Sequence, residues 1–385
     1  MRDKFIVPEK CTGCAACSII CPQAAIDIKM NQDGFFTARV SENCSNCGKC
    51  KIVCSALSSN RVVNCLGAYS VVSKTNEVLE TCTSGGVCFE IADQLIKNGF
   101  GACGVKYNYI TNVAEHFISW TINEYSPSKG SKYIQSYCKN AFQLLLDGKK
   151  YVVFGTPCQI YGINKIAQLK GLEENFYFID FFCHGVPSYH LFNAELKYIK
   201  KKMRSDRIHK IEFRSKINGW KTYTMRVHTN KGIYQSSRDL FHKIFLSDGC
   251  LNKACYNCRF KGQSSYADLR VGDFWGTKQK NVDKGISVVL VFSEKGQRLI
   301  NSLSDKCIIK EENVSEILPY QNNNYCKTQN KKLIDYIAHS CNIEKAYYKY
   351  VIIQIMFNKA KRFKNKILKI FNKQSIALNL NSEGN

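Results

Sequence analysis

A small cysteine-rich α+β unit followed by a larger mixed α/β domain is the fold that the sequence predicts. Three observations carry this expectation. A run of four cysteines beginning at Cys11 recurs at Cys44 with the same spacing. Two apolar runs, Tyr151 to Phe154 and Phe176 to Phe182, bracket a helical segment. Strand-like and helix-like segments alternate from about Leu66 onward.

The first unit is read over residues 1–62. Cys11, Cys14, Cys17 and Cys21, followed by Pro22, spell C-x2-C-x2-C-x3-C-P, and Cys44, Cys47, Cys50 and Cys54 repeat the spacing without the proline. That spacing is the one by which bacterial ferredoxins hold 4Fe-4S clusters. Three close thiolates take one cluster while the fourth reaches across to the other. Crossed ligation assigns Cys11, Cys14, Cys17 and Cys54 to one cluster and Cys44, Cys47, Cys50 and Cys21 to the other. Zinc also accepts four thiolates, but it does not require two four-cysteine runs of identical spacing. Gly13, Ala15, Ala16 and Gly48 between the ligands suit a close backbone approach to the sulfurs.

The next segment, residues 66–150, opens on the strand GAYSVV and continues into an amphipathic helix from Val87. Thr83, Ser84, Gly85 and Gly86 lead directly into that helix, whose free N–H groups favour an anion; a simple cap explains them equally. In residues 151–322, the two apolar runs and a helix from Ile160 to about Leu172 form a βαβ unit with parallel strands. A helix from Tyr189 to Met203, strands around Ile211 and Tyr223, and a buried strand from Ser287 to Phe292 complete the domain. The segment ADLRVGDFWG is read as a tight loop bearing Gly272, Asp273 and Gly276. Residues 323–385 are read as a basic helical tail. The apolar residues between Lys359 and Lys373 have helical spacing, for packing on the chain itself or for a membrane or acidic surface.

Composition limits the setting. The 21 cysteines, with no apolar signal region in Met1 to Lys10, point to a reducing, cytoplasmic compartment in which thiols serve metals or catalysis. A net charge of +24 favours acidic partners, equally an electron carrier such as an acidic ferredoxin or flavodoxin, an anionic substrate or a membrane surface, and no nucleic-acid-binding signature accompanies it.

A further cysteine set lies in the larger domain. Cys158 in GTPCQ and Cys183 in FFCHG each follow a predicted strand, where open parallel sheets bind ligands, and Cys255 and Cys258 in CYNC supply two more thiols. Cys250 stands in C-x4-C-x2-C with that pair and competes for a place in the set. Cys65, Cys82, Cys88, Cys103, Cys138, Cys307, Cys326 and Cys341 have no ligand spacing and are read as packing residues.

The segments TSGG, GSKYIQS, GTPCQ, FFCHG, CYNC and ADLRVGDFWG, in that order between Tyr69 and Phe292, resemble the coenzyme F420 (deazaflavin) hydrogenase and dehydrogenase beta subunit family. That family also includes chlorophyll-pathway reductases, and an N-terminal ferredoxin unit is a common fusion to it. The resemblance implies a mixed α/β flavin-binding domain with a third 4Fe-4S cluster on Cys158, Cys183, Cys255 and Cys258. It implies FAD near Ser84, Gly85, Gly86, Lys132, Tyr133 and Ser136, with Asp268 and Gly272 shaping the same site. It leaves the organic acceptor and the direction of electron flow open. His184, beside a ligand, is read either as a proton donor or as a structural hydrogen-bonding residue. The expected function is an iron-sulfur flavoprotein oxidoreductase. The competing reading is a non-catalytic electron-transfer subunit.

Overall fold

Alternating apolar side chains form the smallest sheet. In β1 (Ile26–Met30) and β2 (Phe36–Val40), Ile26, Ile28, Phe36 and Ala38 face inward, and the antiparallel pair turns at Gly34, whose φ is +77°. The short helices Ala16–Ile19 and Lys49–Ile52 complete this N-terminal unit. The computed structural model describes residues 7–58, 64–276, 283–321, 329–353 and 355–356.

A nine-stranded mixed sheet forms the body. Its strands are β3 (Gly67–Ser73), β4 (Gly101–Asn108), β5 (Val113–Ser119), β6 (Ser136–Tyr137), β7 (Tyr151–Gly155) and β8 (Phe176–Phe181), with three more from the later chain. An antiparallel sheet of β9 (Ile208–Ser215), β10 (Thr224–Thr229) and β11 (Gly232–Ser236) stands apart from it. The large sheet then gains β12 (Leu269–Asp273), β13 (Ser287–Val291) and β14 (Cys307–Glu311), giving the order β14-β3-β13-β12-β8-β7-β4-β5-β6.

At its centre, β7 and β8 are parallel and joined by the helix Pro157–Leu169, as the βαβ pattern predicts. Every residue of β7 is buried, because both faces are covered. Val153 packs into the core shared with the N-terminal unit, while Val152 and Phe154 point into the opposite core beneath the helix Val87–Lys97. The strand from Ser287 is likewise buried throughout, between β12 and β3.

Three expectations change in detail. The helix after β7 begins at Pro157 rather than Ile160, because Thr156 and Gln159 form a capping box and proline suits a first helical position. Cys158 therefore sits in a first helical turn. Most of ADLRVGDFWG is strand rather than tight loop: Leu269–Asp273 is β12, held between β8 and β13, and only Gly276 beyond it has a left-handed φ of +82°. The strand expected around Tyr223 begins at Thr224 and joins β9 and β11 outside the main sheet.

Within residues 323–385, the helix Lys331–Ser340 packs against the helix Tyr189–Met203. The basic segment from Lys359 to Lys373 lies outside the described residues. No helix among the described residues is long and apolar enough to cross a membrane.

Candidate cluster sites and the adjoining cavity

Local backbone shape gathers the thiols. Gly13 and Ala15 have φ values of 69° and 63°, and Asn46 and Gly48 have 55° and 79°. In both runs these left-handed residues curl the chain around a centre before a short helix begins. A small cavity is lined by Cys44, Cys47 and Cys50 together with Cys21, the last cysteine of the other run. The reciprocal crossing also occurs. Burial pushes the Cys54 thiol up to about 11, and the neighbouring Cys14 and Cys11 thiols add to that rise. Burial raises Cys17 too, with Cys14, Cys11 and Cys54 among its electrostatic neighbours. Cys21 thus lies with Cys44, Cys47 and Cys50, and Cys54 with Cys11, Cys14 and Cys17.

Among the described residues, no group of three His, Cys, Asp or Glu side chains is arranged to hold a single metal ion. A cubane carries its four irons at separate corners and so needs its thiolates more widely spread than one ion does. Two four-thiol sets around positive-φ turns fit that larger group.

A third thiol set forms where β8 ends. Cys158 has Cys258 and Cys183 among its electrostatic neighbours, and Cys255 has Cys183 and Cys258. Burial is the largest cause of the raised thiol at each of these four positions. A side chain at Gly185 would meet Cys255 Cβ at 3.1 Å, so glycine there permits the close approach of CHG and CYNC. Cys250 is fully buried, and its raised thiol is traced to burial and Asp248 rather than to another cysteine. The structure thus groups Cys158, Cys183, Cys255 and Cys258 without Cys250.

A residue of the ADLRVGDFWG segment that the sequence reading did not single out secures this third set. Arg270, on β12, donates to both carboxylate oxygens of Asp180 at 2.7 and 2.6 Å. Its guanidinium also donates to the carbonyls of Phe260, Gly262 and Ser264, fixing the loop that follows Cys258. Periodicity could not single out Arg270, because its partners lie far away in sequence or on the backbone.

The inner ferredoxin-type run rests on the helix that carries Cys158. A Cβ added at Gly162 would lie 2.8 Å from Ala16 Cβ and 3.3 Å from Cys14 Sγ. Cys14 is also among the electrostatic neighbours of Cys158. Asn252, which caps the CYNC helix, donates to the Cys11 carbonyl at 3.2 Å. Gln135 completes the seam: its amide donates to the Thr12 and Phe36 carbonyls and accepts from the Phe36 N–H at 2.7 Å.

Beyond Cys183 opens a cavity of about 690 Å³, a volume suited to a cofactor-sized ligand. Ser84, Gly86, Lys132, Tyr133, Ser136, Gly272 and His184 line it together with Cys183. Gly85 does not line it; a side chain there would strike the Val71 carbonyl at 2.3 Å, so its glycine is required for packing against β3. Asp268 also lies away from the wall, accepting hydrogen bonds from the Phe178 N–H and Ser293 Oγ at 2.8 and 2.5 Å. These two residues shape the surrounding scaffold rather than the cavity surface.

Backbone carbonyls hold the cationic side of the cavity. Lys132 Nζ donates to the carbonyls of Pro127, Ser128 and Lys129 at 2.8–3.0 Å, and burial brings its ammonium down to about 7. Behind the lining, Lys216, which does not itself line the cavity, donates from Nζ to the Leu79 and Ser84 carbonyls at 2.6 and 2.7 Å and is lowered by burial to about 8. On the far wall, Trp275 stacks on Trp220 with ring centres 5.2 Å apart, and Trp220 Nε1 donates to Asp273 Oδ1 at 2.9 Å. His184 Nε2 and Asp248 Oδ1 are 2.7 Å apart, which fixes the imidazole at the cavity edge.

Residues 148–317 match the family model for the C terminus of the coenzyme F420 hydrogenase/dehydrogenase beta subunit. Residues 4–27 match the 4Fe-4S binding domain. No curated protein matches the chain. Among solved structures, a chain of the xenon-derivatised F420-reducing [NiFe] hydrogenase complex from Methanosarcina barkeri is 15% identical, with a TM-score of 0.47. That match covers 75% of this chain and 93% of the other.

Proposed function

We propose that this chain, which over residues 148–317 belongs to the coenzyme F420 hydrogenase/dehydrogenase beta subunit family, is an iron-sulfur flavoprotein oxidoreductase. The observation that carries the reading is the succession of three thiol sets ending beside the cavity. Cys14 neighbours Cys158, and Cys183 lines the cavity wall. In this reading Cys21, Cys44, Cys47 and Cys50 hold one 4Fe-4S cluster, and Cys11, Cys14, Cys17 and Cys54 hold a second. Cys158, Cys183, Cys255 and Cys258 hold a third.

Bound clusters would supply single-electron exchange, and FAD would supply exchange of one or two electrons. The residues of the chain do the rest. Ser84 and Gly86, at the entry to the helix Val87–Lys97, offer backbone N–H groups to a phosphate. Lys132 and Tyr133 border the same space, while Trp275, Tyr223 and Phe245 supply apolar surface for planar rings. His184, whose imidazole is oriented by Asp248 at Nε2, is the candidate proton donor to an organic acceptor. The larger domain is read over 66–322, the N-terminal unit over 1–62, and a one-electron carrier is the partner. We place the protein in the cytoplasm.

Two measurements test the proposal. Anaerobically purified protein should contain about twelve irons and about twelve acid-labile sulfides per chain, as three 4Fe-4S clusters require. Saturation at about eight would leave only the N-terminal pair. Heat or acid should release one intact FAD, and cluster-loaded protein with no affinity for FAD or FMN would remove the flavin from the account.

A further inference from the structure

The N-terminal unit separates its charges. The described part contains four carboxylates, at Glu9, Asp27, Asp33 and Glu42. Three of them pair with lysines outside the unit: Glu9 with Lys253 and Asp27 with Lys139 of the larger domain, and Asp33 with Lys331 of the segment that follows it. Three of the four acidic groups thus lie at the boundary with the rest of the chain, while Glu42 is exposed two residues before Cys44. Lys49 and Lys51 remain at the opposite end, exposed, and neither forms an ion pair with a carboxylate among the described residues.

These lysines surround the outer thiol set. Lys51 lines the small cavity formed by Cys21, Cys44, Cys47 and Cys50, and Lys49 immediately precedes Cys50. Ile52, next to Lys51 in the chain, and Leu57, three residues after Cys54, are 57% and 51% exposed. Exposed aliphatic side chains and unpaired cations around one cysteine run make a surface with apolar contact and a charged rim. The inner set has no comparable outlet, since Cys14 and Cys17 are buried against the larger domain.

We infer that Lys49, Lys51, Ile52 and Leu57 form the docking surface for an acidic one-electron carrier protein, which meets the chain at the outer thiol set. The inference deepens the proposed function by giving its partner a surface, and it rests on that reading only in placing a cluster on Cys21, Cys44, Cys47 and Cys50. Charge complementarity identifies the partner class: an acidic protein is drawn to the lysine rim, whereas the seam acids are already neutralised. The aliphatic pair then excludes water from the contact, shortening the route between the two redox groups.

The test uses the full cluster-loaded chain and a purified acidic ferredoxin. Binding of the oxidised carrier is measured by calorimetry, and reduction by the reduced carrier is followed by rapid mixing. Reduced methyl viologen serves as a small cationic donor. In K49E/K51E, carrier affinity and the carrier-driven rate should fall about tenfold or more at low salt, and the difference from wild type should shrink as salt rises. The viologen-driven rate should stay within about twofold, and unchanged iron content with an unchanged outer-cluster EPR signal shows that the outer cluster is intact. I52S should weaken carrier binding with little change in salt dependence. Normal carrier binding and reduction by K49E/K51E would overturn the assignment, even if the variant loses binding to anionic vesicles, an outcome that gives the patch to a membrane surface. Wild-type protein without the iron and EPR signal of a cluster on Cys21, Cys44, Cys47 and Cys50 would instead remove the outer cluster and the proposed function with it.

Discussion

The two N-terminal cysteine runs share one spacing but occupy different surroundings. CTGCAACSIIC lies against the larger domain, with Ala15 and Ala16 almost fully buried and Gly162 making room for Cys14. CSNCGKCKIVC puts Asn46, Lys49 and Lys51 at the surface. Spacing determines how four thiols converge; the residues between them determine which neighbours the set can accept. Alanine permits a helix to pack at that point, while lysine keeps its ammonium hydrated. One sequence pattern thus yields an inner set coupled to the protein interior and an outer set open to a partner.

Replacing one thiol in each run gives the largest contrast. Cys14→Ser should lower overall stability by about 3 kcal/mol or more, because a lost inner cluster also leaves the seam unsupported. Cys47→Ser should leave the larger domain's unfolding transition near its wild-type position. Equal losses in thermal unfolding would erase the distinction. Air exposure probes the same difference without mutation. Iron should leave in two phases, with the outer, more accessible cluster lost first, and selective labelling of the freed Cys44 and Cys47 thiols would identify that phase. A single phase labelling both runs together would contradict the proposed difference in access.

The seam itself should respond more gently. Gly162→Val forces a side chain into Ala16 and Cys14 and should cost about 1–3 kcal/mol, measured by denaturant unfolding. Gln135→Ala deprives the Phe36 N–H and two carbonyls of their partner, with an expected cost of about 1–3 kcal/mol toward the lower end, since water can enter part of the seam. Lys331→Ala should change stability by about 1 kcal/mol or less, an effect that vanishes at high salt because the ion pair is half exposed. A larger effect there than at Gly162 would mean that charge, rather than packing, holds the unit in place.

Much of this arrangement is legible in the residues. Cysteine spacing anticipates the approach of Cys21 and Cys54 to the opposite runs and puts Cys158 and Cys183 just past strand ends, but it leaves Cys250 in competition with Cys255 and Cys258. The strands at Tyr151, Phe176 and Ser287 are visible as apolar runs. Long-range partnerships are not visible in this way. Gln135 meets Thr12, Arg270 meets Asp180, and Trp220 meets Asp273 through side chains whose local sequence gives no period. Gly85 and Asp268 show the converse, since their place in a family motif points toward a ligand while their contacts serve packing. The lysine–aliphatic surface around the outer set becomes recognisable only after the seam has claimed three of the four acidic residues.

The most direct test of the difference between the two runs is rapid-mixing reduction of the FAD-loaded chain, with cluster bleaching and flavin absorbance followed separately. With a reduced acidic ferredoxin as donor, Cys158→Ser should leave bleaching of both N-terminal clusters intact while slowing flavin reduction by about tenfold or more, because the thiol set between the inner run and the cavity is damaged. Cys47→Ser should slow every carrier-driven signal yet leave the flavin reducible by a small chemical donor. Wild-type flavin reduction in a folded, FAD-loaded Cys158→Ser protein would contradict the account, placing that thiol set off the electron path.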